Sequence, residues 1–438
     1  MPGIVNLGLR ALALVYLLAL LVAVVVYKAA FVEMVTIDPY FTLYGLVVCV
    51  YIVSRFVLSV FYRSAPDAGI EPRVAVIVPA FNEEAAIAQS VRSILALDYP
   101  VYKLEVIVVN DGSTDGTLAE IMAVAKESGR VKVIDFPENR GKRAAMAAGM
   151  RRARRAQVVA FVDSDSVLEP AAMRMLVQGF ADPRVGAMAG HAGVLNAREN
   201  WMTKMQAVRY FVAFKVSKAA ESVFGAVTCC SGCFAAYRRE AIMPHLDAWE
   251  HQRFLGRDST YGDDRSLTNH VLRDWRIRYE VRAVSNTIVP TTFRQFMRQQ
   301  IRWKRSWTRE SLRVGSFIWR KHPLAALSTY AGIALPLLAP VTAVRAVAFV
   351  PLAHGGGAPV VYLLGIYSMA VAYGLYYAVR HSRYDALWVF GIVFVFFYLA
   401  FLLWQTYWAI LTARSSSWGT RSAGTPGLRA DTVALGGA

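Results

Sequence analysis

Val158-Val159-Ala160-Phe161-Val162-Asp163-Ser164-Asp165 is the stretch on which the reading of this chain turns. Its apolar run is rich in β-branched residues and has the length of a buried strand, and it stops at two carboxylates in alternate positions. Working outward, similar runs recur at Val74 to Val78, Val106 to Val109 and Val131 to Phe136. Helical stretches near Glu84 to Leu95, Thr117 to Glu127 and Gly141 to Ala156 separate them. Continuous apolar strands alternating with helices predict a parallel sheet covered on both faces, with ligands at the carboxyl ends of the strands. The polar residues fall at those ends: Asn82 and Glu83 after the first strand, Asp111 after the second, Asp163 and Asp165 after the fourth.

Several acids at one sheet edge are hard to explain as solvation alone. Asp163 and Asp165 suit a hard divalent cation, which takes oxygen ligands and retains waters or phosphate oxygens; the plain alternative is an acidic turn. Asn110 to Gly116 is a tight turn by composition, in which Asp111 can also accept hydrogen bonds from a base or ribose. Gly141-Lys142-Arg143 opens a helix, where a phosphate would meet backbone N–H groups and positive charge together. Solvated charges at a helix start explain it equally well. Arg151, Arg152, Arg154 and Arg155 read as a basic outer face. Asp264 has the residue type of an N-cap for a helix over Arg265 to Asn269.

At 56% hydrophobic over 438 residues the chain is too apolar for a soluble protein of its length. Ala11 to Tyr27, Pro39 to Ser54, Pro323 to Val344, Ala346 to Val379 and Ala386 to Ala413 are uncharged or nearly so, giving about five membrane segments at roughly 20 residues each. The first is expected to be retained, since a second apolar stretch follows it without a cleavage site between. Arg10 before the first span and Arg63 after the second, with few charges between, place the middle of the chain in the cytosol. The expected layout is two spans in 1–65, a cytosolic domain in 66–290, interface helices in 291–322, three or four spans in 323–413 and a basic Gly-rich tail in 414–438. A net charge of +17 suits anionic headgroups and an anionic substrate, and no nucleic-acid partner is expected. Four cysteines in such a setting argue against disulfides, and Cys229, Cys230 and Cys233 lack the second pair a zinc site needs.

Between Thr291 and His322 stand nine Lys or Arg and one acid, Glu310. Arg294, Arg298, Arg302, Arg305 and Arg309 recur at helical spacing beside Phe293, Met297 and Ile301, the pattern of an amphipathic helix in the headgroup plane. Arg55 and Arg345 interrupt apolar runs, either as functional intramembrane charges or by snorkelling to the interface. Pro336 and Pro340 are placed to break the helix that contains them. An odd number of carboxyl-side spans would leave the tail outside the cell, an even number inside.

Pro79 to Glu83, the Asn110-Asp111-Gly112 turn and Asp163-Ser164-Asp165 resemble the nucleotide-sugar half of the inverting family 2 glycosyltransferases. Gly262-Asp263-Asp264-Arg265-Ser266-Leu267-Thr268-Asn269 and Gln299-Gln300-Ile301-Arg302-Trp303 resemble two motifs of its processive members, the hyaluronan, chitin and cellulose synthases. Leu267 to Asn269, Ser306 and Arg309-Glu310 look most like hyaluronan synthases, with chitooligosaccharide synthases next. Cys233 departs from the first, which usually have Pro there. Trp418-Gly419-Thr420-Arg421 also resembles a family motif. The likeness runs from Arg73 to Glu310, and the flanking spans match by arrangement only.

The resemblance implies a cytosolic α/β GT-A (Rossmann-like) glycosyltransferase domain inserted between transmembrane helices, with amphipathic interface helices, in the plasma membrane. It implies Asp264 as catalytic base and Asp165 with Asp163 as holders of a divalent metal, magnesium or manganese. Donor contacts are expected from Pro79, Glu83, Asp111, Lys142, Asp163, Gln299, Arg302 and Trp303. Acceptor contacts are expected from Trp303, Cys229, Ser231, Gly232, Asp263 and Arg265. The implied partners are a UDP-sugar, a nascent polysaccharide and the bilayer. The implied activity is processive polymerisation into a β-linked polysaccharide with export along a polar path; a chitin or chitooligosaccharide synthase, a nonprocessive lipid-linked glycosyltransferase and a noncatalytic transporter or receptor are the competing readings.

Overall fold

The computed structural model describes residues 38–354, 358–380 and 386–415. The first expected span with Arg10, the Trp418 to Arg421 segment and all but the start of the basic tail lie outside the described residues. Helix α1 (Pro39–Phe61) is capped by Asp38, whose Oδ1 accepts the Phe41 N–H at 3.1 Å, and Pro39 sits where a missing N–H costs nothing. Then come β1 (Val74–Ala80), α2 (Ile87–Leu95), β2 (Leu104–Asn110), α3 (Thr117–Glu127), β3 (Val131–Asp135), α4 (Lys142–Arg152) and β4 (Val158–Phe161). These fall on the expected strands and helices within a few residues. Both β2 and β4 pair in parallel with β1, and β3 in parallel with β2.

The continuity of the apolar runs has a direct cause. Alternate residues of a strand point to opposite faces, and here both faces are covered. Ala75, Ile77, Ile107 and Val109 pack with Met146 and Met150 of α4 on one side. Val74, Val76 and Val78 pack with Ile87, Val91 and Ile94 of α2 on the other. Each fully buried Val or Ile contributes about 1.5–3 kcal/mol.

The sheet then departs from the all-parallel expectation. It has eight strands in the order β3-β2-β1-β4-β7-β6-β8-β5, where β5 is Ser166–Leu168, β6 Val185–Val194, β7 Ala235–Arg238 and β8 Arg276–Thr287. Strand β7 runs antiparallel to both β4 and β6, while β8 is parallel to β6 and antiparallel to β5. An antiparallel strand inserted beside β4 closes that edge and carries the Cys229 to Cys233 loop to the end of β4.

Helix α5 (Trp201–Val212) opens on an Asn200–Thr203 capping box and continues through a π-helical turn, Ala213–Lys218. Helix α6 (Asp263–Leu272) precedes β8, and α7 (Phe293–Gly315) follows it as the expected amphipathic helix. Helix α8 (Pro323–Val344) contains Pro336 and Pro340 and is not broken by them, contrary to the sequence expectation; neighbouring helices re-satisfy the freed groups of such prolines. Helix α9 (Ala358–Arg380) follows, then α10 (Val389–Phe397) and α11 (Gln405–Leu411). Among the described residues, Pro39–Phe61 and Pro323–Ala353 are long and apolar enough to cross a membrane. Val389–Leu402 and Gln405–Leu411, bent by 44°, would make a third if they act as one span.

Helices α1 and α8 run antiparallel, as their polar ties require. Arg55, near the end of α1, donates to Ser328 Oγ near the start of α8. Asp38, at the start of α1, meets Arg345 Nε at 2.5 Å just past the end of α8. The two charges that interrupt apolar sequence are therefore interhelical fastenings.

Candidate active site

The end of β4 delivers Asp163 and Asp165 into a cleft of about 2000 Å³. Asp163 accepts a hydrogen bond from Lys142 Nζ, at the first residue of α4, and forms an ion pair with it. The loop of Ser231, Gly232 and Cys233 crosses directly over Asp163: a Cβ on Gly232 would stand 2.9 Å from its Oδ1. Asp165 accepts from Thr287 Oγ1 at 3.2 Å, at the end of β8. Burial, and then the charge of Asp163, push the Asp165 carboxyl up to about 6, with Lys142 opposing. Burial works against the charge of Lys142, but Asp163, Asp263 and Asp264 outweigh it and hold the ammonium above its ordinary range.

Pro79 and Glu83 line the same cleft. The Glu83 N–H donates to Thr117 Oγ1 at 2.7 Å, which ties the end of β1 to α3. Asp111 also lines it, buried, with Oδ1 accepting the Arg140 N–H at 2.7 Å and Oδ2 the Asn139 amide at 3.2 Å. Burial raises its pKa against these bonds. Asp111 therefore holds the loop that leads into Lys142.

The opposite wall begins at Gly262, which caps α6 with φ +82°; Asp264 is thus inside the first turn and is not the N-cap. Two carboxylates in a first turn are favoured by the helix dipole. Asp264 accepts the Arg265 N–H at 2.7 Å and the Cys229 thiol at 3.5 Å. Burial, and then the Asp264 charge, push that thiol up to about 12, so Cys229 faces the carboxylate as a neutral donor. Asp263 is buried and pairs with Arg143 Nε at 3.2 Å, while its carbonyl accepts from Trp249 Nε1 at 3.2 Å. Arg143 also donates to the Trp249 carbonyl at 3.0 Å. Lys142 and Arg143, adjacent in sequence, thus reach the two acidic motifs separately.

Gly262 is held tightly from behind: an added Cβ would lie 1.9 Å from Ser306 Oγ. Gly262→Ala is expected to lower stability by about 2 kcal/mol or more, from left-handed backbone strain and overpacking together. A thermal midpoint measured in detergent, several degrees below wild type, would show it; an unchanged midpoint would contradict the tight seam.

Helix α7 presents Gln299, Arg302 and Trp303 to the cleft. Burial lowers the Arg302 pKa, opposed by Asp263, Asp264 and Asp163. The Trp303 ring lies 6.5 Å from that of Tyr210, with the Arg209 guanidinium 5.4 Å from its centroid. Arg209 in turn donates to Gln300 Oε1 at 2.8 Å. Arg209, Tyr210 and Lys218 carry no motif in the sequence, standing as ordinary polar positions of an amphipathic helical stretch. The cleft continues past Trp303 to Pro336, Tyr398 and Thr406 on the apolar helices. Ser415, the last described residue, accepts a hydrogen bond from Tyr261 OH, and Thr412 Oγ1 accepts from Arg305 Nε at 2.9 Å. The described chain therefore ends beside Tyr261 and α7, on the side of the cleft that holds Asp263 and Asp264.

All expected site residues that the sequence singled out for donor, acceptor, metal and base, from Pro79 to Trp303, border this one cleft. The sequence model of Glycosyl transferase family 2 matches residues 75–246. A hyaluronan synthase of Streptococcus pyogenes is 35% identical over 276 residues, covering 62% of this chain and 65% of that protein's length. An N-acetylglucosaminyltransferase of Azorhizobium caulinodans is 38% identical over 245 residues, covering 55% of this chain and 61% of that protein. Among solved structures, a mannosyltransferase from Pyrobaculum calidifontis in complex with GDP-Man and Mn2+ shares the fold, with a TM-score of 0.53 and 24% identity over 80% of this chain and 98% of its own.

Proposed function

We propose, since residues 75–246 match the Glycosyl transferase family 2 model, that this chain is a membrane-embedded inverting glycosyltransferase. It polymerises sugar from UDP-sugar donors into a β-linked polysaccharide, hyaluronan synthase-like, and passes the product across the plasma membrane, with its catalytic domain in the cytosol. The observation that carries this reading is that one cleft is lined both by Asp163, Asp165 and Lys142 and by Tyr398, Thr406 and Pro336 of the apolar helices. A saccharide cannot cross hydrocarbon with its hydroxyls unpaired, so a path joining the acids to the apolar helices suits transfer coupled to export.

In this reading the acceptor hydroxyl attacks the anomeric carbon as the bond from that carbon to the UDP oxygen breaks. The configuration inverts, Asp264 takes the hydroxyl proton, and UDP leaves. Lys142 and Arg302 supply positive charge toward the diphosphate, and Trp303 offers a face for the acceptor ring. Asp163 and Asp165 suit a divalent cation: they are oxygen donors at one edge, and Asp165 bears the unfavourable charge of its neighbour. Two carboxylates completed by diphosphate and water are a usual magnesium or manganese set. When bound, such an ion would neutralise charge on the departing diphosphate.

Because the Asp165 carboxyl titrates near 6, a proton competes with the cation below that pH. Mn2+ affinity in the presence of UDP, followed by calorimetry, is expected to fall about tenfold per pH unit well below pH 6 and to level off above pH 7. Affinity flat from pH 5 to 8 would remove Asp165 as a ligand. The reading as a whole is tested by UDP release from purified protein given UDP-sugars singly and in pairs, with products sized on a gel. A strict need for two donors indicates a heteropolymer. One sufficient donor with short products favours the chitooligosaccharide alternative, for which the N-acetylglucosaminyltransferase likeness speaks. A single added sugar indicates a nonprocessive transferase.

A further inference from the structure

Glu310 is buried at 3% exposure outside the cleft, two turns beyond Trp303 on α7, and its carboxylate faces α6 and Gln252, with Arg313 Nε of its own helix 4.0 Å away. Oε1 accepts from Gln252 Nε2 at 2.7 Å, and Oε2 from Asn269 Nδ2 of α6 at 3.0 Å. The same Asn269 amide also donates to the Glu310 carbonyl, at 3.1 Å. Gln252 is fixed in turn: its Oε1 accepts from Ser266 Oγ of α6, and its carbonyl accepts the Ser259 N–H at 2.9 Å. One turn earlier on α7, Ser306 fills the space left by the missing side chain of Gly262, and Arg309, the residue before Glu310, donates to the Tyr261 carbonyl at 2.9 Å. Trp303, Ser306 and Glu310 stand at i, i+3 and i+7, so one face of α7 carries both the ring at the cleft and the seam to α6.

A buried carboxylate is an expensive way to join two helices. An apolar seam of equal volume is often as stable or more so. What the charge adds is a fixed register, because α6 must stand where Asn269 reaches the carboxylate directly and Ser266 reaches it through Gln252. Asp264 lies on α6 and Trp303 on α7. We propose that Glu310 is a positioning residue that locks α6 to α7 and so sets the base, Asp264, in place relative to the acceptor platform, Trp303. The roles of those two residues rest on the proposed transferase reading, whereas the lock itself does not.

The test uses the full chain in detergent with Mn2+. Glu310→Gln keeps the volume and removes the charge. The expected result is a kcat for UDP release at least tenfold lower, with donor KM and UDP affinity within twofold of wild type. Hydrogen exchange of the α6 amides should be several-fold faster, with β1 unchanged. The double variant Gln252→Glu with Glu310→Gln moves the carboxylate across the seam while preserving the donors from Ser266 and Asn269. It is expected to recover kcat to within about threefold. Asn269→Ser weakens the same seam from the other helix and should reproduce the kcat loss and the faster exchange if Glu310→Gln does not fold. Wild-type kcat in Glu310→Gln, a rise in donor KM in place of the kcat loss, or unchanged exchange in α6 would overturn the proposal. A wild-type protein that releases UDP from no donor would instead count against the transferase reading; the exchange measurement would then decide the lock alone.

Discussion

Asp264→Asn is expected to lower UDP release by about a thousandfold or more while UDP binding stays within a few-fold of wild type. General-base removal costs on the order of 10²–10⁴ in rate. The substitution keeps the shape of the side chain and an oxygen for the Arg265 N–H. It does not remove a helix cap, because Gly262 occupies that position. What it forfeits structurally is a first-turn charge on the helix dipole, about 0.3–1 kcal/mol. Turnover is read by a coupled UDP assay and binding by calorimetry with Mn2+. Undiminished turnover would remove Asp264 as the base, and lost UDP binding would move its role to the donor side.

Asp165→Asn should give the opposite pattern. Donor KM and UDP affinity are expected to worsen by about tenfold to a hundredfold in Mn2+, since half of the carboxylate pair offered to the cation is gone. Stability in metal-free buffer should rise at the same time. The folded Asp165 pKa, about 6, lies above its ordinary value, so the folded state loses stability as pH climbs from about 4 through 6 and carries that cost at neutral pH. A neutral amide removes the cost. A gain in thermal midpoint at pH 7.5, vanishing near pH 4, together with weaker donor binding would mark a site that trades stability for chemistry. If Asp165→Asn bound UDP and Mn2+ as wild type does, the assignment of the pair would fail.

The amino-terminal half of the sheet was legible because β1, β2 and β4 are buried on both faces and so are written as unbroken apolar runs. Their ends were legible for the same reason, since a carboxylate directly after such a run is conspicuous. The other half was not. Strand β6 reads Val185-Gly186-Ala187-Met188-Ala189-Gly190-His191-Ala192-Gly193-Val194, a composition poor in strand formers. It is a strand because its glycines admit large neighbours, Trp275 against Gly186 and Phe234 against Gly190. That is information from elsewhere in the chain. Strand β7 is only four residues long and gives almost no periodic signal.

The site divides along similar lines. Asp111 and the two acidic motifs stand where strand ends and the family resemblance put them. Lys142 and Arg143 read equally as a phosphate site or as solvated charges at a helix start, yet they pair with acids, one with Asp163 and one with Asp263. Arg209 and Tyr210 were invisible because a cationic or phenolic residue in an amphipathic helix usually means only a solvated edge. Here the helix is covered by α7 and α10, and the same residues are turned against Trp303.

In the proposed reading, donor chemistry at the acids and passage between the apolar helices share one cleft. Inside-out membrane vesicles carrying the protein, supplied externally with Mn2+ and labelled UDP-sugars, test it most directly. The expected product is a labelled polymer that resists an added glycan hydrolase until detergent opens the vesicles. Label confined to single-sugar products, or a polymer digested in full without detergent, would contradict it.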